Sequence, residues 1–234
     1  MRRLMPRSTK KAFTRIELSM VLATFALLAG VLVPSFGVQR SGNERTVCVN
    51  NLKRLGEAFL QYSEDVSPRF MPQFSFRIAS AQGGTLGAYG VVRHLVVLSN
   101  YLSSPSLLVC PSTGRKPATS FRIVGEPDTT YVIGAHASPL DSSRVLLADK
   151  DIEGSDGGQS CSLLNNLFVT TFYGAPSQPE TWGAAWSATN HVREGQVLLS
   201  DGSVVATSSR QLKTLFAQDA AASSLNSVHL VYAR

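Results

Sequence analysis

Four groups of residues in this chain have the types and spacing to do chemistry. Glu17 stands at the mouth of a long apolar run, with Ala12 and Phe13 just before it. Asp149, Asp151, Glu153 and Asp156 follow one another in L-A-D-K-D-I-E-G-S-D-G-G-Q-S. His191 stands ten residues before Asp201 and Gly202. The chain also has 3 cysteines, Cys48, Cys110 and Cys161. A carboxylate at the edge of an apolar environment is costly unless it is paired, so Glu17 calls for a partner. Cutting the chain between Ala12 and Phe13 would create a cationic amine about one helical turn from Glu17, or beside the Glu17 of a neighbouring helix.

Carboxylates at alternating positions ahead of glycines are similar to the start of a calcium loop, because hard cations take several oxygens from a tightly turned backbone. Ser160 stands where a bidentate glutamate should close that loop. The stretch therefore reads as a solvated turn, with calcium as the alternative and no other cofactor expected. The four histidines His94, His136, His191 and His229 form neither H-E-x-x-H nor a close zinc-ligand spacing. G-x-S-x-G is absent as well. No enzyme is indicated. His191 reads as a residue that locks a turn by hydrogen bonding, with a ligand site or an acid/base role as alternatives.

The elements that would position these residues begin with a basic leader. Five of the 22 Lys and Arg residues lie in the first twelve positions (Arg2, Arg3, Arg7, Lys10 and Lys11), so beyond them basic and acidic residues nearly balance. The +6 charge thus argues for membrane topology with the basic end inside, and against nucleic acid as a partner. From Leu18 to Gln39 there are 22 residues without a charge, about the length that spans a hydrocarbon core. A cleaved signal peptide ending near Ser35-Phe36-Gly37 is the alternative. Beyond the run, Cys48, Leu52, Leu55, Phe59 and Tyr62 form an apolar helical stripe, with a bend expected at Ser41-Gly42-Asn43 and an end at Ser67-Pro68. In the remainder, 86–102 reads as helix, and 106–109, 130–133, 144–148 and 166–173 read as strands. Runs 196–200 and 203–207 form a hairpin around Asp201-Gly202, a pair that suits a two-residue type I′ turn. Leu212, Leu215 and Phe216 mark a further helix, and Trp182 and Trp186 read as core anchors.

Ala12-Phe13-Thr14-Arg15-Ile16-Glu17-Leu18, with Lys10-Lys11 before it and the apolar run after it, resembles the prepilin signal of type IV pilins and type II secretion pseudopilins. The resemblance implies that a membrane aspartyl prepilin peptidase cuts before Phe13 and methylates its amine. It also implies that Glu17 guides docking of the subunit into a helical filament. Pro34 matches a helix-kinking proline of that family; Ala12 departs from its usual glycine, and Arg15 from its usual leucine. The arrangement His191-x9-Asp201-Gly202 resembles the C-terminal signature of bacterial prepilin-like proteins. Cys48-Val49-Asn50-Asn51-Leu52-Lys53 and Cys110-Pro111-Ser112 resemble further fragments of that family. On this resemblance Cys48 and Cys110 are the favoured disulfide pair; the alternative keeps all three thiols reduced, with Cys48 packed as a small apolar residue. The calcium sites of major pseudopilin heads add weight to the calcium alternative.

The resulting expectation is an α+β pilin-like fold. A leader (1–12) precedes a transmembrane and assembly helix (13–39), an amphipathic extension (40–66), and a head (67–234) with an antiparallel sheet. The expected function is that of a structural subunit in a secretion pseudopilus or pilus-type filament. Its expected partners are prepilin peptidase, other pilin-like subunits and the inner membrane, which it would cross once with the head outside. The alternative is a membrane-anchored extracytoplasmic binding domain that does not polymerise.

Overall fold

The computed structural model describes residues 14–66, 91–137, 141–154, 169–188, 193–223 and 227–232. The chain divides into two compact units, 1–43 and 44–234. Helical residues run from Arg15 to Val66 (α1) and include Ser41-Gly42-Asn43, where the sequence suggested a bend. The division between the units falls just after Asn43.

The expected pilin-like fold, with a long helix that is half in the membrane and half packed on the head, is corrected by two findings. Among the described residues, no helix is long and apolar enough to cross a membrane. The α1 residues that pack into the second unit's core begin at Cys48.

That second unit is built on a six-stranded antiparallel sheet in the order β4-β8-β1-β2-β6-β7. Its strands are β1 (Tyr131–Gly134), β2 (Val145–Asp149), β4 (Val169–Tyr173), β6 (Glu194–Leu199), β7 (Val204–Ser208) and β8 (Ser227–Val231). Two short strands, β3 (Ile152–Glu153) and β5 (Ala185–Trp186), pair separately. Every residue of β1, β2 and β8 is buried, because helices cover both faces of the sheet.

On one face Tyr131, Ile133, Leu147, Leu198 and Val231 pack with Cys48, Leu52, Leu55 and Phe59 of α1. The short helix α2 (Val91–Val97) adds Val91, Val92 and Leu95 to this layer. Spacings of three and four make each helix apolar on the side that meets the sheet. Gly56 permits the close approach of α1, since a Cβ there would lie 3.2 Å from the Leu198 methyl carbons. On the other face Val132, Val145, Ala148, Val197 and Leu230 pack with α3 (Ser209–Ser223) through Leu212, Phe216, Ala217 and Ala220. Phe216 lies edge-on to Phe172 and Trp182, with ring centroids 5.2 and 6.0 Å apart. A reciprocal cap starts α3: the Ser208 N–H donates to Gln211 Oε1 (2.8 Å), and the Gln211 N–H donates to Ser208 Oγ (3.5 Å).

Two local expectations are corrected. Residues 106–109, read as a strand, lie largely in a 3-10 helix, Pro105–Leu108. Ser104 caps it by accepting from the Ser106 N–H, and Pro105 supplies a preset φ. The late hairpin forms, but its turn has three residues. Leu198 pairs with Val204, the Gly202 N–H donates to the Leu199 carbonyl (3.0 Å), and the Leu199 N–H donates to the Ser203 carbonyl (2.9 Å). Gly202 alone takes positive φ, at 83°. Asp201 stays out of the left-handed region and turns its carboxylate onto the Ser203 N–H (2.8 Å). This is a type I turn closed by a left-handed glycine bulge, in place of the expected type I′ pair.

Candidate functional site

The N-terminal helix carries the densest group of residues with an open functional question. Thr14 is its cap, and its carbonyl accepts from the Leu18 N–H (3.2 Å). The Thr14 N–H and hydroxyl donate to Glu17 Oε2 at 2.9 and 3.0 Å, and the Glu17 N–H donates back to Thr14 Oγ1 at 3.3 Å. Thr14-x-x-Glu17 is therefore a capping box: the carboxylate expected to await an amine has a local partner one turn back. The signal for this, threonine and glutamate three apart before an apolar run, was present in the sequence. Ala12 and Phe13 lie outside the described residues.

From Ile16 to Leu28 the helix carries exposed apolar side chains around its circumference. Ile16, Leu18, Met20, Val21, Leu22, Phe25, Leu27 and Leu28 are all exposed, Ile16 and Leu27 at 73%. Ser19 and Thr24 return their hydroxyls to the carbonyls of Ile16 (2.9 Å) and Val21 (2.8 Å), so they add little polarity to the surface.

Within the second unit a disulfide joins Cys48 of α1 to Cys110, which opens the 3-10 turn Pro111–Thr113. Both cysteines are buried. Asn51, one turn along α1, donates its Nδ2 to the Val109 carbonyl (3.1 Å), so helix and segment are held side by side. Cys161 lies outside the described residues.

The described part of the acidic stretch, 149–154, runs from the end of β2 into β3. Asp149 ends β2 and is buried, Asp151 is half-buried, and Glu153 sits in β3; Asp156 and Ser160 lie outside the described residues. Among the described residues no three His, Cys, Asp or Glu side chains are grouped to hold a metal ion. Burial pushes the Asp149 carboxyl up to about 7, against the opposing hydrogen bond from the Gln196 N–H. The reading of Asp149 as part of a solvated turn is corrected, since it is buried in a central strand.

His191 lies outside the described residues, and Asp201 and Gly202 form the hairpin turn. Of the other histidines, His94 is buried on the inner side of α2, where burial brings it down to about 4. His136 and His229 meet across the sheet, Nε2 to Nδ1, at 2.9 Å. Trp182 and Trp186 are core residues, their indole N–H groups donating to the Ala175 carbonyl (3.3 Å) and Thr207 Oγ1 (3.1 Å).

The described residues also line surface grooves. One, about 570 Å³, is lined by Pro179, Glu180, Ser209, Arg210, Lys213 and Thr214. Another, about 360 Å³, lies among Arg54, Glu57, Gln61, Tyr101 and Ser103. No family model, no curated protein and no solved structure matches this chain.

Proposed function

We propose that this chain is a structural subunit of a type II secretion pseudopilus or type IV pilus-type filament, exported and processed by prepilin peptidase before Phe13. The single observation that carries the reading is the N-terminal helix, whose apolar side chains point outward on all sides with Glu17 at their head. A helix that is apolar all round needs a cover, and lipid or a set of like helices provides one. In this mechanism the basic leader directs the chain to the inner membrane and the peptidase removes it. The apolar helices of successive subunits then bury one another, with the second unit carried outside. The buried disulfide supports export, because such bonds persist in oxidising compartments.

The N-terminal mass of the chain recovered from its native membrane tests this reading. A start at N-methylated Phe13, with the protein recovered in a sheared filament fraction, is the expected result. Intact Met1, or a start after Gly37, overturns it.

A second reading is favoured by the capping box. With Thr14 already paired to Glu17, the carboxylate is satisfied without a Phe13 amine. The protein would then be a membrane-anchored extracytoplasmic binding domain that does not polymerise, and absence from the filament fraction despite correct export would select it.

A further inference from the structure

The six-stranded sheet has one narrow join. Strand β8 matches β4 over five register pairs, Val169↔Val231 to Tyr173↔Ser227. It matches β1 over only two, Ile133↔Val231 and Gly134↔Leu230, with one further hydrogen bond from the Ala135 N–H to the His229 carbonyl (2.9 Å). The β4–β8 ribbon is therefore attached to the rest of the sheet through a short backbone contact. At its end His136 Nε2 and His229 Nδ1 lie 2.9 Å apart, with ring centroids separated by 4.9 Å.

Such a contact requires a lone pair on one ring. Two neutral imidazoles satisfy it, and so does an imidazolium donating to a neutral ring, but two imidazolium rings have no acceptor between them. We propose that the His136–His229 pair is an acid-sensitive clamp on the β1–β8 join, and that its second protonation loosens the β4–β8 ribbon from the sheet.

Burial and the described charges nearby act in the same direction. Burial, then the charge of His229, then that of Arg144 bring His136 down to about 4, and burial lowers His229. Arg144 is fixed close by, donating to Asp141 (3.0 Å) and to Asp219 of α3 (3.5 Å). On β4 the residue opposite His229 is Thr171, which carries no charge. Opening the join lets the rings return to ordinary titration near 6.5. For one ring held at about 4 when closed, linkage then favours opening roughly thirtyfold more at pH 5 than at pH 8. This inference does not depend on the proposed filament role.

The test is amide hydrogen exchange of the full chain between pH 8 and pH 4.5, corrected for intrinsic exchange, alongside NMR titration of the ring protons of His136 and His229. The expected result is a loss of protection of roughly thirtyfold by pH 5 in β8 and at 133–135, relative to the β6–β7 hairpin, with both rings titrating below 6.5. A His136→Gln/His229→Gln variant should show no such dependence. Rings titrating at or above 6.5, or β8 protection that stays level with that of the hairpin down to pH 4.5, overturns the proposal. If the variant does not fold, the wild-type titration and exchange decide alone.

Discussion

The Gln196 N–H donates to the Asp149 carboxylate at 2.7 Å across the join of β2 and β6. The bond lies in the centre of the sheet, where Tyr131 of β1 stands opposite Asp149 on the other side. A carboxyl group in that position is desolvated on all sides, and one backbone donor does not offset the loss of water.

Asp149 should therefore make stability fall as pH rises. Its folded value, about 7, lies above the ordinary value of 3.8, so the native state holds the proton more tightly than the unfolded chain does. Its contribution is complete below about 4 and is lost as pH climbs through about 7. Asp149→Asn keeps the shape and removes the titration. Urea melts between pH 4 and pH 8 should show a decline for the wild type that is absent from the variant. Parallel profiles would assign the pH dependence elsewhere.

The Cys48–Cys110 bond closes a 62-residue separation between α1 and the 105–113 segment. On the loop-closure argument its removal costs about 4 kcal/mol. A Cys48→Ser/Cys110→Ser variant should melt at correspondingly lower urea, as should the wild type in reductant. A change under 1 kcal/mol would mean that packing around Asn51 and Leu108 holds the helix without the bond.

On the filament role proposed above, Thr14 and Glu17 separate capping from docking. Thr14→Ala breaks the box and should cost about 1 kcal/mol at the start of the helix while filament recovery continues. Glu17→Ala should cost a similar amount and also remove the protein from the sheared filament fraction. Equal recovery of the two variants would make Glu17 a capping residue and nothing more.

Gly174 and Gly202 test two kinds of constraint. A Cβ on Gly174 would lie 2.5 Å from ring atoms of the buried Trp182, so Gly174→Ala should destabilise by about 1–3 kcal/mol through overpacking. At Gly202 there is open space, but φ is +83°, so Gly202→Ala should cost about 1 kcal/mol through backbone strain alone. Thermal melts should rank Gly174→Ala below Gly202→Ala.

What could be read in the sequence was mainly periodic. The spacing of Cys48, Leu52, Leu55 and Phe59 marked the face of α1 that meets the sheet, short β-like runs marked β1 and β2, and a run rich in β-branched and aromatic residues marked β4. The hairpin was legible from Asp201-Gly202, but its turn type was not. Asp201 has an alternative to positive φ in bonding the Ser203 N–H, and the dipeptide alone does not decide between them. Residues 106–109 looked like a strand because Leu107, Leu108 and Val109 form an apolar run; Ser104 and Pro105 decided for a 3-10 turn. The meeting of His136 with His229, 93 residues apart, depends on strand order, which no local pattern carries. Asp149 looked like a surface acid because its neighbours Asp151 and Glu153 are acidic, whereas the register of three strands buries it.

Strand order also sets a timetable. Strand β8 follows every other strand in the chain yet lies inside the sheet, between β4 and β1. As the chain is synthesised, β1, β2, β6 and β7 can associate early, while β4 waits for a neighbour that emerges some fifty residues later. The second unit therefore completes its sheet only after β8 has left the ribosome. Until then β4 and β1 each lack the neighbour that β8 supplies.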